Sequence, residues 1–205
     1  MNIEERIKEE FENKKYLYLK DILSKDLCYF FTSVLLLESR ENNIKSDSQV
    51  SNAGAIMHRE VMFHTLLELV WPKLEETLGE KLFPTYAYAR LYKNGNILNE
   101  HVDRPACEVS LTIQLGRSHH YAWPIFMGKN RIDLAEGDAV LYKGCEIPHS
   151  RQECKGPDNY YTGNVFLHYV KANGIYKDHL LDMKENPESK KFRIIKNYSE
   201  LMQVK

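Results

Sequence analysis

Apolar positions recur on two different periods along this chain, and the change falls near residue 84. Residues 1 to 14 are mostly charged or polar and begin as a helix. Tyr16-Leu17-Tyr18-Leu19 is a short β-prone run. Ser24, with Asp26 behind it, is placed to start an amphipathic helix through Leu27, Phe30, Phe31, Val34, Leu35 and Leu37. The stretch 41–54, rich in Asn, Ser, Asp and Gln, has no period and reads as a long loop. Loops of that length in a compact domain either cover a site or are inert, which makes this one a candidate lid or substrate loop. From Ala55 to Leu78 the pattern predicts a helix, with Phe63, Leu66, Leu67, Val70, Leu74 and Leu78 as its apolar stripe and Pro72 kinking or dividing it after Trp71. His58 and His64 ride on this predicted helix. Six residues apart, they do not share adjacent turns, so they are read as surface or packing histidines.

Beyond Pro84 the chain changes to short β-prone runs separated by Gly, Pro and Asn, at 85–92, 108–115, 121–126, 131–134, 138–143 and 163–170. Such a series predicts a sandwich or barrel. In 108–115, alternation puts Glu108, Ser110, Thr112 and Gln114 on one face and Val109, Leu111, Ile113 and Leu115 on the other. The apolar face suits a core; the polar face suits a cofactor cavity or solvent. No repeat or low-complexity linker interrupts the chain. The expectation is one domain over 1–205, with 1–84 mainly helical support, 85–170 the core and 171–205 a C-terminal extension. The apolar patch of that extension, Phe192, Ile194 and Ile195, would pack back on the domain or meet a partner.

Composition narrows the function classes. The chain has 205 residues, 43% of them hydrophobic, enough for a sizeable core. Its 28 basic and 29 acidic residues leave a formal charge of -1, so no global field favours nucleic acid or an anionic membrane. The charged start Met1-Asn2-Ile3-Glu4-Glu5-Arg6 lacks the apolar core of a secretory signal, and no apolar run approaches a membrane span, so the expected location is cytoplasmic. Cys28, Cys107, Cys145 and Cys154 lie far apart without a Cys-x-x-Cys pair, against a zinc knuckle or a disulfide framework. They are read as structural thiols, with Cys107 and Cys145 near enough to the candidate site to be oxidation-sensitive. Oligomeric state is not written in the pattern.

The candidate chemistry sits at Asn99-Glu100-His101-Val102-Asp103. If 97–103 is a strand end, His101 and Asp103 project to one face while Val102 points away. A third ligand would be His149, which follows a turn, the apolar run Ala139-Val140-Leu141-Tyr142 and another turn. Two imidazoles and a carboxylate on one face of a metal leave the opposite positions open, the facial arrangement of non-haem Fe(II) oxygenases.

The context on both sides carries more than the spacing. The run from Tyr88 through His101-Val102-Asp103 to Thr112 resembles the first metal strand of the Fe(II)/2-oxoglutarate-dependent dioxygenases, in their prolyl 4-hydroxylase-like branch. Gly137 to Arg151 and then Val165-Phe166-Leu167-His168-Tyr169 are similar to the second metal strand and the strand after it. The resemblance covers roughly Thr85 to Val170. It implies an α+β fold with a double-stranded β-helix, or jelly-roll, core supported by N-terminal helices. It also implies Fe(II) on His101, Asp103 and His149, with 2-oxoglutarate and O2 as cosubstrates. The implied activity is hydroxylation of a protein or peptide at proline, with release of succinate and CO2. Alternatives are hydroxylation of a small molecule or free amino acid, or a metal-binding jelly roll without catalysis. No catalytic residue beyond the metal centre is implied.

For the distal carboxylate of 2-oxoglutarate, an arginine fork suits best. Arg151, two residues past His149 and on the same side of a continuing strand, is the first choice, and Lys155 the alternative. Here the chain departs from the commoner family pattern, whose basic residue would fall near Thr162. Tyr92 matches a tyrosine that contacts the cosubstrate, and Gln114 holds a strand position suited to a second polar contact. Tyr121, Trp123 and loop 41–54 are placed to meet substrate. Arg104-Pro105 borders the entrance or is a solvated turn. His119 and His120 read as loop residues, and His168 as a packing residue.

Overall fold

The computed structural model of the chain describes residues 2–41, 49–50, 53–58 and 60–180. Helix α1 (Ile3–Lys14) starts where the Asn2 side chain accepts from the Glu5 amide while the Glu5 carboxylate accepts from the Asn2 amide. It stops at Lys15, whose left-handed backbone turns the chain into strand β1 (Tyr16–Leu19). Helix α2 (Lys25–Glu41) follows Ser24, whose hydroxyl accepts from the Leu27 amide. Strand β2 (Ala55–His58) precedes helix α3 (Val61–Leu78), which ends at Gly79 in the left-handed region, φ 62°. Pro72 lies inside α3 without dividing it.

The remaining strands are β3 (Leu82–Lys93), β4 (Leu98–His101), β5 (Val109–Arg117), β6 (Ile125–Met127), β7 (Asn130–Ile132), β8 (Ala139–Tyr142), β9 (His149–Arg151) and β10 (Tyr161–Lys171), with one 3-10 turn at Pro105–Cys107. Six strands form a sheet in the order β1-β8-β5-β10-β3-β2; four form a second in the order β4-β9-β6-β7. Every pairing in both is antiparallel. Both edges of the larger sheet come from the first 84 residues.

The larger sheet has two unlike faces. Ala87, Ala89, Leu91, Val109, Leu111, Ile113, Leu115, Leu141, Val165 and Leu167 point outward and bury against Phe31 and Leu35 of α2 and Phe63, Leu66, Leu67, Val70, Leu74 and Leu78 of α3. This is the predicted apolar face, and the predicted stripe of α3 is buried in full. The inner face carries Tyr86, Tyr88, Arg90 and Tyr92 on β3, Ser110, Thr112 and Gln114 on β5, and Asn164, Phe166 and His168 on β10. Ser110, Thr112 and Gln114 are buried, so this polar face lines an interior instead of meeting solvent. The smaller sheet closes over it, with Ile125, Met127 and Ile132 packed on Val140 and Tyr142 of β8.

Three expectations are corrected. Ala55–His58 is an edge strand paired with Leu91 to Tyr88 of β3, so the helix begins only at Val61 and His58 lies outside it. On α2, Leu27, Phe30 and Leu37 are exposed; the buried face is Cys28, Phe31, Thr32 and Leu35. Glu108 precedes β5 at a bend, where its carboxylate accepts from the Lys171 amide, and does not share the inner face. The tail patch Phe192, Ile194 and Ile195 and most of loop 41–54 lie outside the described residues. Among the described residues the four cysteines are free, and no helix is long and apolar enough to cross a membrane.

Candidate metal and cosubstrate site

Strand β4 lies against β9 with His101 opposite His149 and Leu98 opposite Arg151. The register brings both imidazoles to one place, their ring centroids 4.3 Å apart. Asp103 falls just past the end of β4. Its backbone amide donates to the Gly144 carbonyl at 2.8 Å, which ties the residue to the turn between β8 and β9. One ligand-type atom from each of His101, Asp103 and His149 lies within 4.8 Å of the others. Asp103 Oδ1 is 3.5 Å from His149 Nε2 and 3.9 Å from His101 Nε2.

The tautomers follow from the other ring nitrogens. His101 Nδ1 lies 2.8 Å from the Asn99 carbonyl and His149 Nδ1 3.1 Å from the Ile147 carbonyl. A carbonyl only accepts, so both protons sit on Nδ1 and both Nε2 lone pairs face Asp103. Burial pulls His101 below its ordinary value, favouring the neutral ring. Burial pushes the Asp103 carboxyl upward, but the His149 ring, which in its protonated form donates to it, the charge of a protonated His168 and the Ser110 hydroxyl hold it below the ordinary carboxylate value. Two neutral imidazoles and an ionised carboxylate converging without a basic side chain between them fit a divalent metal.

Behind Asp103, Ser110 Oγ is 3.1 Å from Oδ2 of the carboxylate and 2.8 Å from His168 Nδ1. His168 therefore does more than fill space, although its ring also packs on Tyr86 at 4.6 Å. A second grouping, Asp103, Cys107 and His168, shares the same carboxylate. Burial pushes the Cys107 thiol well up and Cys145 up to about 11, against the reading of either as a reactive thiolate.

Arg151 is 2% exposed and stands two residues from His149 on β9. Its guanidinium donates to the Trp123 carbonyl and to Asn164 Oδ1 and lies 4.9 Å from the Trp123 ring. Its Nε is buried without a hydrogen-bond partner among the described residues. Burial lowers its affinity for the proton, and among the described residues the groups that act on it most are Tyr92, Tyr160, Cys154 and Tyr142, none of them a carboxylate. An enclosed cation with an unused donor fits a ligand carboxylate. Lys155 has an exposed side chain, and its backbone amide donates to Tyr121 Oη. Thr162 accepts from Gln114 Nε2 at 2.8 Å. Gln114 also receives Asn164 Nδ2 on its own oxygen, so it stitches β5 to β10. Tyr92 is fully buried with its hydroxyl on Arg90.

Trp123 is also buried, its indole N–H on the Gln152 carbonyl and its ring forming a wall against Arg151. Tyr121 packs edge-on against Tyr160. Arg104 covers the Tyr86 ring at 4.7 Å. His120 is exposed, His119 touches Ser118, and His58 stacks on Tyr88 at 5.0 Å. Sequence reasoning missed Arg90 and Gln49. Arg90 was visible in the alternation Tyr86-Ala-Tyr88-Ala-Arg90-Leu-Tyr92, where small and apolar residues take one face and the arginine must share the other. Gln49, in the candidate lid, carries no local signal.

No family model matches the sequence, and no curated protein matches it. Solved structures do match in fold. An oxidoreductase of the 2OG-Fe(II) oxygenase family from Burkholderia pseudomallei is 13% identical with a TM-score of 0.62, over 84% of this chain and 92% of that one. A prolyl-4-hydroxylase from Pseudomonas putida is 12% identical at TM-score 0.62, over 82% of this chain and all (100%) of that one. HygX from Streptomyces hygroscopicus, solved with nickel and 2-oxoglutarate bound, is 9% identical at TM-score 0.61, over 84% of this chain and 88% of that one. The chain has the fold of the 2OG-Fe(II) oxygenases.

Proposed function

We propose that this chain is a single-domain Fe(II)- and 2-oxoglutarate-dependent oxygenase, its strands wound as a double-stranded β-helix. His101, Asp103 and His149 hold the metal, and Arg151 takes the distal carboxylate of 2-oxoglutarate. Iron with 2-oxoglutarate and O2 supplies the oxidising chemistry, with succinate and CO2 as products. The observation that carries the reading is the pairing of two features on one short strand: His149 Nε2 faces Asp103, and two residues along stands the enclosed Arg151 with its unused Nε. Asn99 and Ile147 hold the imidazole protons away from the metal position. Ser110 steadies the carboxylate, and the walls of Tyr92, Tyr142 and Trp123, all buried, keep water from the cosubstrate.

For the reaction, hydroxylation of a peptidyl proline is the first reading, supported by the match to the Pseudomonas putida prolyl-4-hydroxylase over that protein's full length. Hydroxylation of a small molecule is the second, supported by the match to HygX, which has also been solved with hygromycin B bound. The test is an anaerobic titration of metal-free protein with Fe(II) and then 2-oxoglutarate, followed in the visible range. A charge-transfer band lost in Asp103→Ala and weakened in Arg151→Ala supports the reading. Iron binding without a band at any 2-oxoglutarate concentration would instead leave a metal-binding jelly roll without oxygenase chemistry.

A further inference from the structure

The two oxygens of Asp103 serve different neighbours. Oδ1 lies 3.5 Å from His149 Nε2 and 3.9 Å from His101 Nε2. Oδ2 is the oxygen on Ser110 Oγ, and the same hydroxyl reaches His168 Nδ1. Ser110 and His168 are cross-strand partners on β5 and β10, so the sheet register places the imidazole there. The 3-10 turn that follows Asp103 brings Cys107 back to the same spot. Its amide donates to the Arg104 carbonyl at 2.8 Å, and its own carbonyl is 3.0 Å from Ser110 Oγ. Cys107 and His168 are each 2% exposed. One ligand-type atom from each of Asp103, Cys107 and His168 lies within 4.8 Å of the other two, the same limit that holds for His101, Asp103 and His149.

The two sets differ in chemistry. The first offers nitrogen and oxygen; the second adds sulfur, which turns preference from hard cations such as Mg(II) toward Zn(II) and softer ions. Zn(II) bonds oxygen, nitrogen and sulfur at about 2.0–2.3 Å, so tetrahedral ligand atoms stand about 3.3–3.8 Å apart and these three need draw in by roughly 1 Å. A thiol that coordinates loses its proton, here to solvent, so a neutral Cys107 in the metal-free chain and a thiolate on the metal are two states of one site. The Tyr86 hydroxyl, 3.1 Å from Cys107 Sγ, is in place to donate to that thiolate.

We infer that Asp103, Cys107 and His168 form a second metal site, for Zn(II) or a cation of similar softness, joined to the first through the shared carboxylate. A cation there takes over from the Ser110 hydroxyl the task of holding Asp103 to His168. The inference goes beyond the oxygenase reading and does not depend on 2-oxoglutarate.

The experiment titrates the full chain, metal-free and freshly reduced, with Co(II) under anaerobic conditions. Cobalt reports a thiolate ligand by a near-ultraviolet sulfur-to-metal charge-transfer band, and equilibrium dialysis counts the bound ions. The wild type should bind two Co(II) and show the band. Cys107→Ser should bind one and show no band, with a melting temperature that still rises on adding Co(II), the sign that the fold and the first site survive. His101→Ala should do the converse, binding one Co(II) and keeping the band, so the outcome does not hang on the folding of Cys107→Ser. Cys145→Ser, altered at a half-buried thiol near the site, should match the wild type. Zn(II) should bleach the band at far lower concentration than Mg(II). The inference is overturned if the wild type binds a single Co(II) without the band, if the band survives in Cys107→Ser, if it is lost in His101→Ala, or if Mg(II) bleaches it as well as Zn(II). A His101→Ala chain that keeps the band and binds as much Co(II) as the wild type would overturn the first site and leave the second standing.

Discussion

His149 Nε2 lies 3.5 Å from Asp103 Oδ1, and the two residues reach that distance from different elements, one on a strand and one just past the end of another. Each is held from behind, His149 by the Ile147 carbonyl and Asp103 by Ser110. A site arranged this way before metal arrives binds without reordering its ligands. Added Ni(II) or Co(II) should therefore raise the melting temperature of the wild type, and chelation should reverse the rise. Asp103→Ala should remove the effect. Metal competes with protons for these groups, and His101 titrates below 6.5. Affinity should accordingly fall in acidic buffer, with the proton on His101 competing only below its ordinary range, which isothermal titration at several pH values would read. An affinity that does not fall in acid would contradict ligation by imidazole.

Ser110 can donate to Asp103 only while accepting from His168, because it has one proton. Removing the hydroxyl leaves a buried carboxylate oxygen and a buried imidazole nitrogen without that partner. Ser110→Ala should weaken metal affinity by about 10- to 100-fold with an unchanged circular dichroism spectrum. Equal affinity in mutant and wild type would reduce Ser110 to a packing role.

Gly144 has no room for a side chain. A Cβ there would stand 2.5 Å from Asp103 Oδ2 and 2.9 Å from Ser110 Oγ, and would press on the Cys107 carbonyl. Gly144→Ala must push the carboxylate or the turn aside, at a cost of about 1–3 kcal/mol. Denaturant unfolding should show the loss, and metal binding should weaken in the same variant. A mutant that binds metal normally would mean the turn yields without disturbing Asp103.

Away from the site, burial pushes the Glu68 carboxyl up to about 7, and its Oε2 has no hydrogen-bond partner among the described residues. The folded state binds this proton more tightly than the unfolded chain, whose ordinary value is 4.5. Stability is therefore greatest below 4.5 and is lost as pH rises toward 7, the reverse of an ion-paired carboxylate. Glu68→Gln should raise the melting temperature at pH 8, by about 2 °C or more, and change it little at pH 4.5. Because Glu68 is partly solvated, the gain is smaller than for full burial. A mutant that gains equally at both pH values would assign the effect to packing.

The sequence by itself determined what depends on local spacing. The two-residue step from His101 to Asp103, the run leading to His149, the stripe of α3 and the alternation on β5 are fixed by the 2.0 and 3.6 periods of the backbone. That spacing, read with the resemblance of the flanking runs, named the three ligand candidates and Arg151 without any coordinates. Only the tertiary structure decided what depends on partners far along the chain. Ala55–His58 is a strand because β3 offers it an open edge, and the buried face of α2 is the one that meets β5 and β10. The same holds for β1, whose partner β8 lies more than a hundred residues away. Gln49 and Arg90 belong to this second group. Neither lies in a motif, and their chemistry begins only where strand pairing and chain return bring an amide, a guanidinium and an imidazole within hydrogen-bonding distance. Hydrogen-bond registers between distant segments select those neighbours, and a local pattern carries no record of them.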